Sequence, residues 1–127
     1  MKPSAAFLTL GILLPGAANA QDIAAGERAF AKCRACHQVG DGARNLVGPE
    51  LNGLFGRRAG TVEGYSFSTA NKESGIVWDE AKFAEFIQNP RGTIPGTKMI
   101  FSGLRSEREI ADLTAFLRQF DAKGAKR

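Results

Sequence analysis

The run Cys33-Arg34-Ala35-Cys36-His37 constrains this chain more than any other stretch of its sequence. C-x-x-C-H is the attachment signature of c-type haem. Two cysteines separated by two residues are spaced to bond the two vinyl groups of one porphyrin, and the histidine that follows is placed to coordinate its iron. The motif therefore predicts one covalent haem c, attached through Cys33 and Cys36 and ligated by His37. A large, flat, apolar group would then form part of the core.

Two other interpretations of this motif stay open from the residues alone. Cysteines at this spacing also form redox disulfides in thioredoxin-like proteins, or half of a zinc site. A structural zinc site needs four ligands, whereas Cys33, Cys36 and His37 supply three. A disulfide leaves His37 without a role, and no strand pattern leads into the motif. Haem attachment accounts for all three residues.

Residues 1–20 have the pattern of a secretory signal peptide. Lys2 supplies a positive start, residues 5–14 are apolar, and an Ala-Asn-Ala cleavage site ends at Ala20. We expect cleavage after Ala20, which leaves 21–127 as one monohaem domain in the periplasm. The apolar stretch is too short for a stable transmembrane anchor, and an uncleaved membrane tether is the alternative.

Helical patterns dominate the remaining sequence, and no alternating strand pattern persists, so the expected fold class is all-α. The expected helices are 23–35, 69–74, 79–88 and a last one that begins after Ser106. Asp22 and Ser106 suit N-caps. Glu109 completes a capping box with Ser106, and apolar residues recur at helical spacing from there to Phe120.

Long irregular loops separate these helices. Residues 40–64 and 90–103 are rich in glycine and have no helical pattern. Loops of this length are unusual in a small domain unless they are functional. A haem would supply the apolar surface on which they pack. The basic tail after Asp121 is expected to fray.

The charge of the chain argues against one class of partner. Its formal net charge is +4, and the basic residues are spread along the sequence rather than clustered. A mild, dispersed excess of this kind is not the footprint of a nucleic-acid-binding protein. It favours acidic protein partners instead.

Few side chains are available as axial ligands of the iron. His37 is the only histidine, and Met99 is the only methionine besides Met1. A lone methionine is otherwise more often core filler. Met99 follows a stiff Pro95-Gly96 turn and is the expected second ligand. A His/Met pair raises the reduction potential and leaves no open position on the iron, which favours one-electron transfer over enzymatic chemistry.

Several further motifs agree with this interpretation. They are Gly48-Pro49-Glu50-Leu51, Gly53-Leu54-Phe55-Gly56-Arg57, Ala70-Asn71-Lys72, Trp78, Asn89-Pro90 and Pro95-Gly96-Thr97-Lys98-Met99-Ile100-Phe101. With them the chain resembles the class I cytochromes c of the mitochondrial type, in an exported bacterial form, from Asp22 to Phe120. The resemblance implies the cytochrome c fold: four or so short helices and long loops around one haem, with the first and last helices crossing. Gly26 and Phe30 would then face Leu113 and Phe116.

The resemblance also implies a set of haem-binding residues. They are Cys33, Cys36, His37, Pro49, Arg57, Asn71, Trp78, Thr97, Met99 and Phe101. The Pro49 carbonyl would accept a hydrogen bond from the outer N–H of His37. Arg57 and Trp78 would interact with haem propionates, and Phe101 would cover the exposed haem edge.

Asn71 and Thr97 resemble the polar residues around an internal water beside the methionine.

Two other positions near the haem depart from the family pattern. Members of the family commonly have tyrosine where this chain has Phe67 and Phe86, donating to a propionate and toward the axial sulfur. Tyr65 lies two residues before the first position, and the sequence leaves open whether it compensates.

The function implied by the resemblance is that of a soluble periplasmic carrier of one electron between membrane redox complexes. The expected partners are acidic faces of quinol-cytochrome c reductase, cytochrome oxidase or a photosynthetic reaction centre. We expect the protein to meet them as a monomer, and we expect neither nucleic-acid binding nor stable insertion into a membrane. The basic residues that match those around the haem edge are Lys32, Arg34, Arg91, Lys98 and Arg105. A haem subunit dedicated to one periplasmic dehydrogenase is an alternative. A peroxidase or gas-binding protein is another, and it would require Met99 to leave the iron.

Overall fold

The structure is a computed structural model that describes residues 1–11 and 22–127. In these residues the helices are α1 (Ile23–Phe30), α2 (Thr69–Glu73), α3 (Glu80–Gln88), α4 (Pro90–Thr93) and α5 (Glu107–Arg118). Extended pairing within the same ranges is limited to two isolated bridges, which confirms the all-α prediction. No helix in the described ranges has the length and apolarity needed to cross a bilayer. The predicted cleavage site at Ala20 lies outside the described residues.

Local capping explains where the helices begin. The side chains of Asp22, Ser68, Asp79 and Ser106 accept hydrogen bonds from backbone N–H groups three residues later. Helix α1 ends at Phe30, earlier than predicted, and residues 31–36 continue as turns. Helix α4 was not expected. It forms because Asn89 caps the N–H of Gly92 and Pro90 suits the first helical position.

Helices α1 and α5 cross closely, as the resemblance implied. A Cβ atom at Gly26 would overlap the backbone carbonyl of Asp112 and lie 2.8 Å from the Cβ of Phe116. The rings of Phe30 and Phe116 lie 5.4 Å apart, and Leu113 is fully buried. Glycine at position 26 is therefore what allows the two backbones to approach.

The expectation that the tail frays is wrong. The carboxylate of Asp121 accepts hydrogen bonds from the backbone N–H groups of Lys123 and Ala125. Phe120 and Lys126 form an antiparallel bridge. Gly124 is buried against the loop at residue 40, with a φ of +82° that favours glycine. The tail is held by these local hydrogen bonds and by the contact of Gly124 with distant residues, which its composition does not reveal.

Candidate functional site

All of the predicted haem-binding residues meet at one cavity. It has a volume of about 230 Å³ and is bounded by the end of α1, residues 47–71, Trp78, α3, the segment 97–101 and α5. The predicted residues that line it are Cys33, Cys36, His37, Pro49, Arg57, Asn71, Trp78, Thr97, Met99 and Phe101. These residues are spread over most of the domain sequence, so the fold alone brings them together.

His37 is oriented by the loop that follows it. Its Nδ1 atom lies 2.7 Å from the carbonyl oxygen of Pro49. Because a carbonyl only accepts, Nδ1 must be the protonated nitrogen, and Nε2 keeps its lone pair for a metal. Burial lowers the pKa of His37, with a smaller opposing effect from the Pro49 carbonyl. The ring is therefore held neutral, as a metal ligand must be.

Gly48 is a site residue to which the sequence interpretation assigned no role. A Cβ atom at this position would lie 2.7 Å from Nδ1 of His37 and closer still to its Cε1. The Gly48 N–H donates to the carbonyl of Cys36, with a distance of 2.8 Å. Glycine lets the backbone lie against the imidazole ring. The Gly-Pro pair in the sequence was the available signal.

A tight turn presents Met99 to the cavity. The Thr97 N–H donates to the carbonyl of Ile94 across Pro95 and Gly96, with a distance of 3.0 Å. Gly96 has a φ of +90°, as the third position of a type II turn requires. The Met99 N–H then donates to the Thr97 hydroxyl, 3.3 Å away. The half-buried Met99 side chain packs against the core.

The two cysteines form no disulfide and line the cavity. Burial, followed by the proximity of Cys36, raises the pKa of the unattached Cys33 thiol to about 11. Redox-active dithiols have the opposite property, a lowered thiol pKa. Among residues 1–11 and 22–127, no group of three or more His, Cys, Asp or Glu side chains is placed to hold a metal ion. The raised pKa of Cys33 therefore does not favour the redox-disulfide interpretation.

Arg57 brings a half-buried positive charge to the cavity wall. Its guanidinium donates to the backbone carbonyls of Asn52 and Glu50, at 2.9 and 3.2 Å. The Glu50 carboxylate lies 3.5 Å from Nη1 of Arg57. Burial lowers the pKa of Arg57, and Glu50 opposes this effect. A cation in this environment is suited to an anionic group inside the cavity, such as a propionate.

The cavity wall also contains an unpartnered polar atom. Within the part of the chain that the structure describes, the buried Oδ1 atom of Asn71 has no hydrogen-bond partner. Buried polar atoms normally have one, in protein or in ordered water. The lining of the cavity fits haem c, since it includes both cysteines, the neutral His37 and the Met99 thioether. The Asn71 Oδ1 atom is suited to a polar partner inside the cavity.

The two departures from the family pattern have different surroundings. Phe86 lines the cavity, and its ring lies 5.1 Å from that of Trp78 in an edge-to-face contact. Phe67 lines the cavity beside Tyr65, with ring centroids 4.7 Å apart. The Tyr65 hydroxyl donates to the Val47 carbonyl at 2.6 Å. That hydroxyl is thus already engaged by the backbone.

The predicted basic residues do not all border the cavity. Lys32 and Lys98 line it, whereas Arg34, Arg91 and Arg105 do not. Lys32 forms an ion pair with Glu109, with a 2.6 Å distance between Nζ and Oε1. Arg34 lies 3.9 Å from the carboxylate of Glu27 and stacks over the Phe30 ring. Part of the positive charge near the cavity is therefore already paired.

Two apolar side chains at the mouth of the cavity are exposed. Val47 and Ile100 both line it, and they are 74% and 86% exposed. They extend from the segments on either side of the cavity that contain Pro49 and Met99. An apolar mouth flanked by lysines is suited to brief contact with another protein.

Comparisons with known proteins agree with this geometry. A family model described as Cytochrome c matches residues 23–121. The chain is 54% identical over 110 residues to cytochrome c2 of Blastochloris viridis, covering 87% of each chain. It is 59% identical over 101 residues to cytochrome c-550 of Bradyrhizobium diazoefficiens, covering 80% of this chain and 74% of the relative. The solved structure of cytochrome cH from Methylobacterium extorquens superposes with a TM-score of 0.72 at 43% identity, covering 77% of this chain and 98% of that one.

Proposed function

The chain belongs to the cytochrome c family and carries covalently attached haem c, and from this we propose that it is a diffusible periplasmic carrier of single electrons between membrane redox complexes. The resemblance inferred from its motifs and the cytochrome c fold are thereby confirmed. The family is one of electron-transfer proteins rather than enzymes. His/Met ligation, the partners and the location are the proposed part.

One observation carries the proposal. His37 and Met99 line the same cavity as both cysteines. Haem c bound there would carry one electron by alternating its iron between two oxidation states. His37 and Met99 would both ligate its iron, which would favour electron transfer over substrate binding.

The residues around these two side chains keep them in place. Pro49 fixes the tautomer of His37 through its carbonyl, which also makes Nε2 more basic. Thr97 and the turn before it hold the backbone of Met99. A neutral, soft thioether favours the reduced metal, which raises the reduction potential. Little needs to rearrange in such a site when an electron arrives or leaves.

We propose that partners approach the mouth of the cavity. Val47 and Ile100 supply exposed apolar contact there, and Lys32 and Lys98 supply positive charge. Such charges steer an acidic partner and lose influence as salt is added. Quinol-cytochrome c reductase, cytochrome oxidase and photosynthetic reaction centres are the partner classes expected to present acidic faces. A monomer suffices for this role.

The periplasmic location rests on residues 1–20. A positive start, an apolar stretch and an Ala-Asn-Ala cleavage site support export and removal after Ala20. Residues 21–127 would then act as the mature monohaem domain. Mass spectrometry of the protein isolated from a periplasmic extract, with Gln21 as the expected first residue, tests this assignment.

The absorption spectrum of the matured protein tests the ligands. We expect sharp low-spin bands on reduction and a weak far-red sulfur-to-iron band in the oxidised form. Met99→Ala should abolish the far-red band and lower the midpoint potential. A wild-type spectrum that is high-spin, or that changes at once with carbon monoxide, would contradict His/Met ligation and support a ligand-binding haem protein.

A further inference from the structure

Tyr65 joins the two segments that lie on either side of the cavity. Its hydroxyl donates to the carbonyl of Val47, with an O–O distance of 2.6 Å. The ammonium group of Lys98 lies over the face of its ring, 4.4 Å from the centroid, a cation–π contact. Lys98 is also tied to the same loop by a hydrogen bond to the carbonyl of Ser66.

Each contact ends close in the chain to a residue that orients a proposed iron ligand or to the ligand itself. Val47 lies two residues before Pro49, whose carbonyl accepts the hydrogen bond from His37. Lys98 directly precedes Met99 in the chain. One side chain therefore links the backbone on the His37 side to the backbone on the Met99 side.

We propose that Tyr65 is a positioning residue that keeps the segment 97–101 closed, so that Met99 resists displacement by external ligands. The inference rests on the proposed function, because it requires Met99 to be the second axial ligand. It assigns a role to the Tyr65 hydroxyl, two residues before Phe67, which the sequence left without one. Here that hydroxyl acts on the backbone at the mouth of the cavity.

The size of the effect follows from the strength of one hydrogen bond. A ligand that replaces Met99 can bind only when the segment 97–101 is open. Its apparent affinity therefore scales with the population of the open form. Removing one net hydrogen bond is expected to raise that population about twofold to tenfold.

The test is a titration of the oxidised holoprotein with imidazole, followed by the loss of the far-red band. Tyr65→Phe removes the hydroxyl and keeps the ring. We expect the apparent dissociation constant of imidazole to fall about twofold to tenfold in this variant. Lys98→Gln, which removes the cation above the ring, should shift the constant in the same direction.

Thr61→Val is the matched control. The Thr61 hydroxyl also donates to a backbone carbonyl at 2.6 Å, that of Arg58, in the same loop. Thr61 does not line the cavity. Loss of the Thr61 hydroxyl should lower the free energy of unfolding to a similar extent and leave the apparent dissociation constant of imidazole unchanged.

The possible results separate this inference from the proposed function. An unchanged constant in Tyr65→Phe, with a normal far-red band, overturns the role of Tyr65 alone. An equal fall in Tyr65→Phe and Thr61→Val also overturns it, since it indicates general loosening of the loop. A wild-type protein without the far-red band overturns Met99 ligation, and this inference with it.

Discussion

The Nδ1 atom of His37 lies 2.7 Å from the carbonyl oxygen of Pro49, and this contact fixes which nitrogen of the ring is available to a metal. The two residues are twelve positions apart in the sequence. The contact depends on Gly48, whose missing side chain leaves the space that the ring fills. The orientation of the His37 ring is thus set by the backbone of the following loop.

Gly48→Ala tests that dependence. The new methyl group would overlap the His37 ring, so that the ring or the loop must shift. We expect a loss of about 1–3 kcal/mol in the free energy of unfolding, measured with denaturant, and an altered absorption spectrum. Gly75→Ala is the control, because a Cβ there meets open space and its positive φ adds only backbone strain. Equal losses and an unchanged spectrum for Gly48→Ala would contradict the role of Gly48.

Phe86→Tyr tests whether position 86 approaches the iron. Phe86 is buried, lines the cavity and packs edge-to-face on Trp78. A hydroxyl there would add a dipole and a hydrogen-bond donor inside the site. We expect a measurable change in the midpoint potential, determined by voltammetry. Phe55→Tyr adds the same group outside the cavity and should leave the potential unchanged. No change in Phe86→Tyr would mean that the side chain does not approach the iron.

Gly26→Ala tests the crossing of α1 and α5. The added methyl group would overlap the carbonyl of Asp112, an atom of the α5 backbone that cannot move without moving the helix. We expect a loss of about 3 kcal/mol in unfolding free energy, although alanine is the better helix former. Ala24→Ser, on the exposed face of α1, should change it by less than about 0.5 kcal/mol. A Gly26→Ala variant as stable as the wild type would show that the helices do not approach this closely.

Reversal of Arg91 and Arg105 tests the proposed role of positive charge in docking. Among the described residues, neither forms an ion pair, whereas Lys32 pairs with Glu109. Arg91→Glu with Arg105→Glu should therefore change the surface potential without breaking an internal contact. We expect about tenfold slower electron transfer to an acidic redox partner at low ionic strength, measured by stopped flow.

The control for that experiment changes the same amount of charge elsewhere. Lys72 and Lys123 are exposed and, unlike Arg91 and Arg105, are not among the basic residues predicted to surround the haem edge. Lys72→Glu with Lys123→Glu should alter the rate much less. If both double variants slow the reaction equally, total charge rather than a docking face controls the encounter. Identical rates and salt dependence in the Arg91 and Arg105 variant would place the docking face elsewhere.

Much of the fold was readable from local signals in the sequence. Asp22 and Ser106 start helices because each caps an N–H three residues on, and the apolar spacing from Ile110 onward predicted the buried face of α5. Helix α4 was missed because a single turn that begins at Pro90 has no apolar period to detect. The tail was misjudged because Gly124 packs against Gly40 and Asn52, a contact between distant residues that no local pattern encodes.

The sequence by itself indicated the chemistry of this protein, because two cysteines and a histidine stand at the spacing of haem attachment, and it left Met99 as the proposed second ligand. It did so because covalent attachment and metal ligation depend on residue type and short-range spacing. Only the tertiary structure decided that Gly48 borders His37 and that Tyr65 links Val47 to Lys98. Such contacts join residues far apart in the chain, and their geometry exists only when the loops are packed around the site.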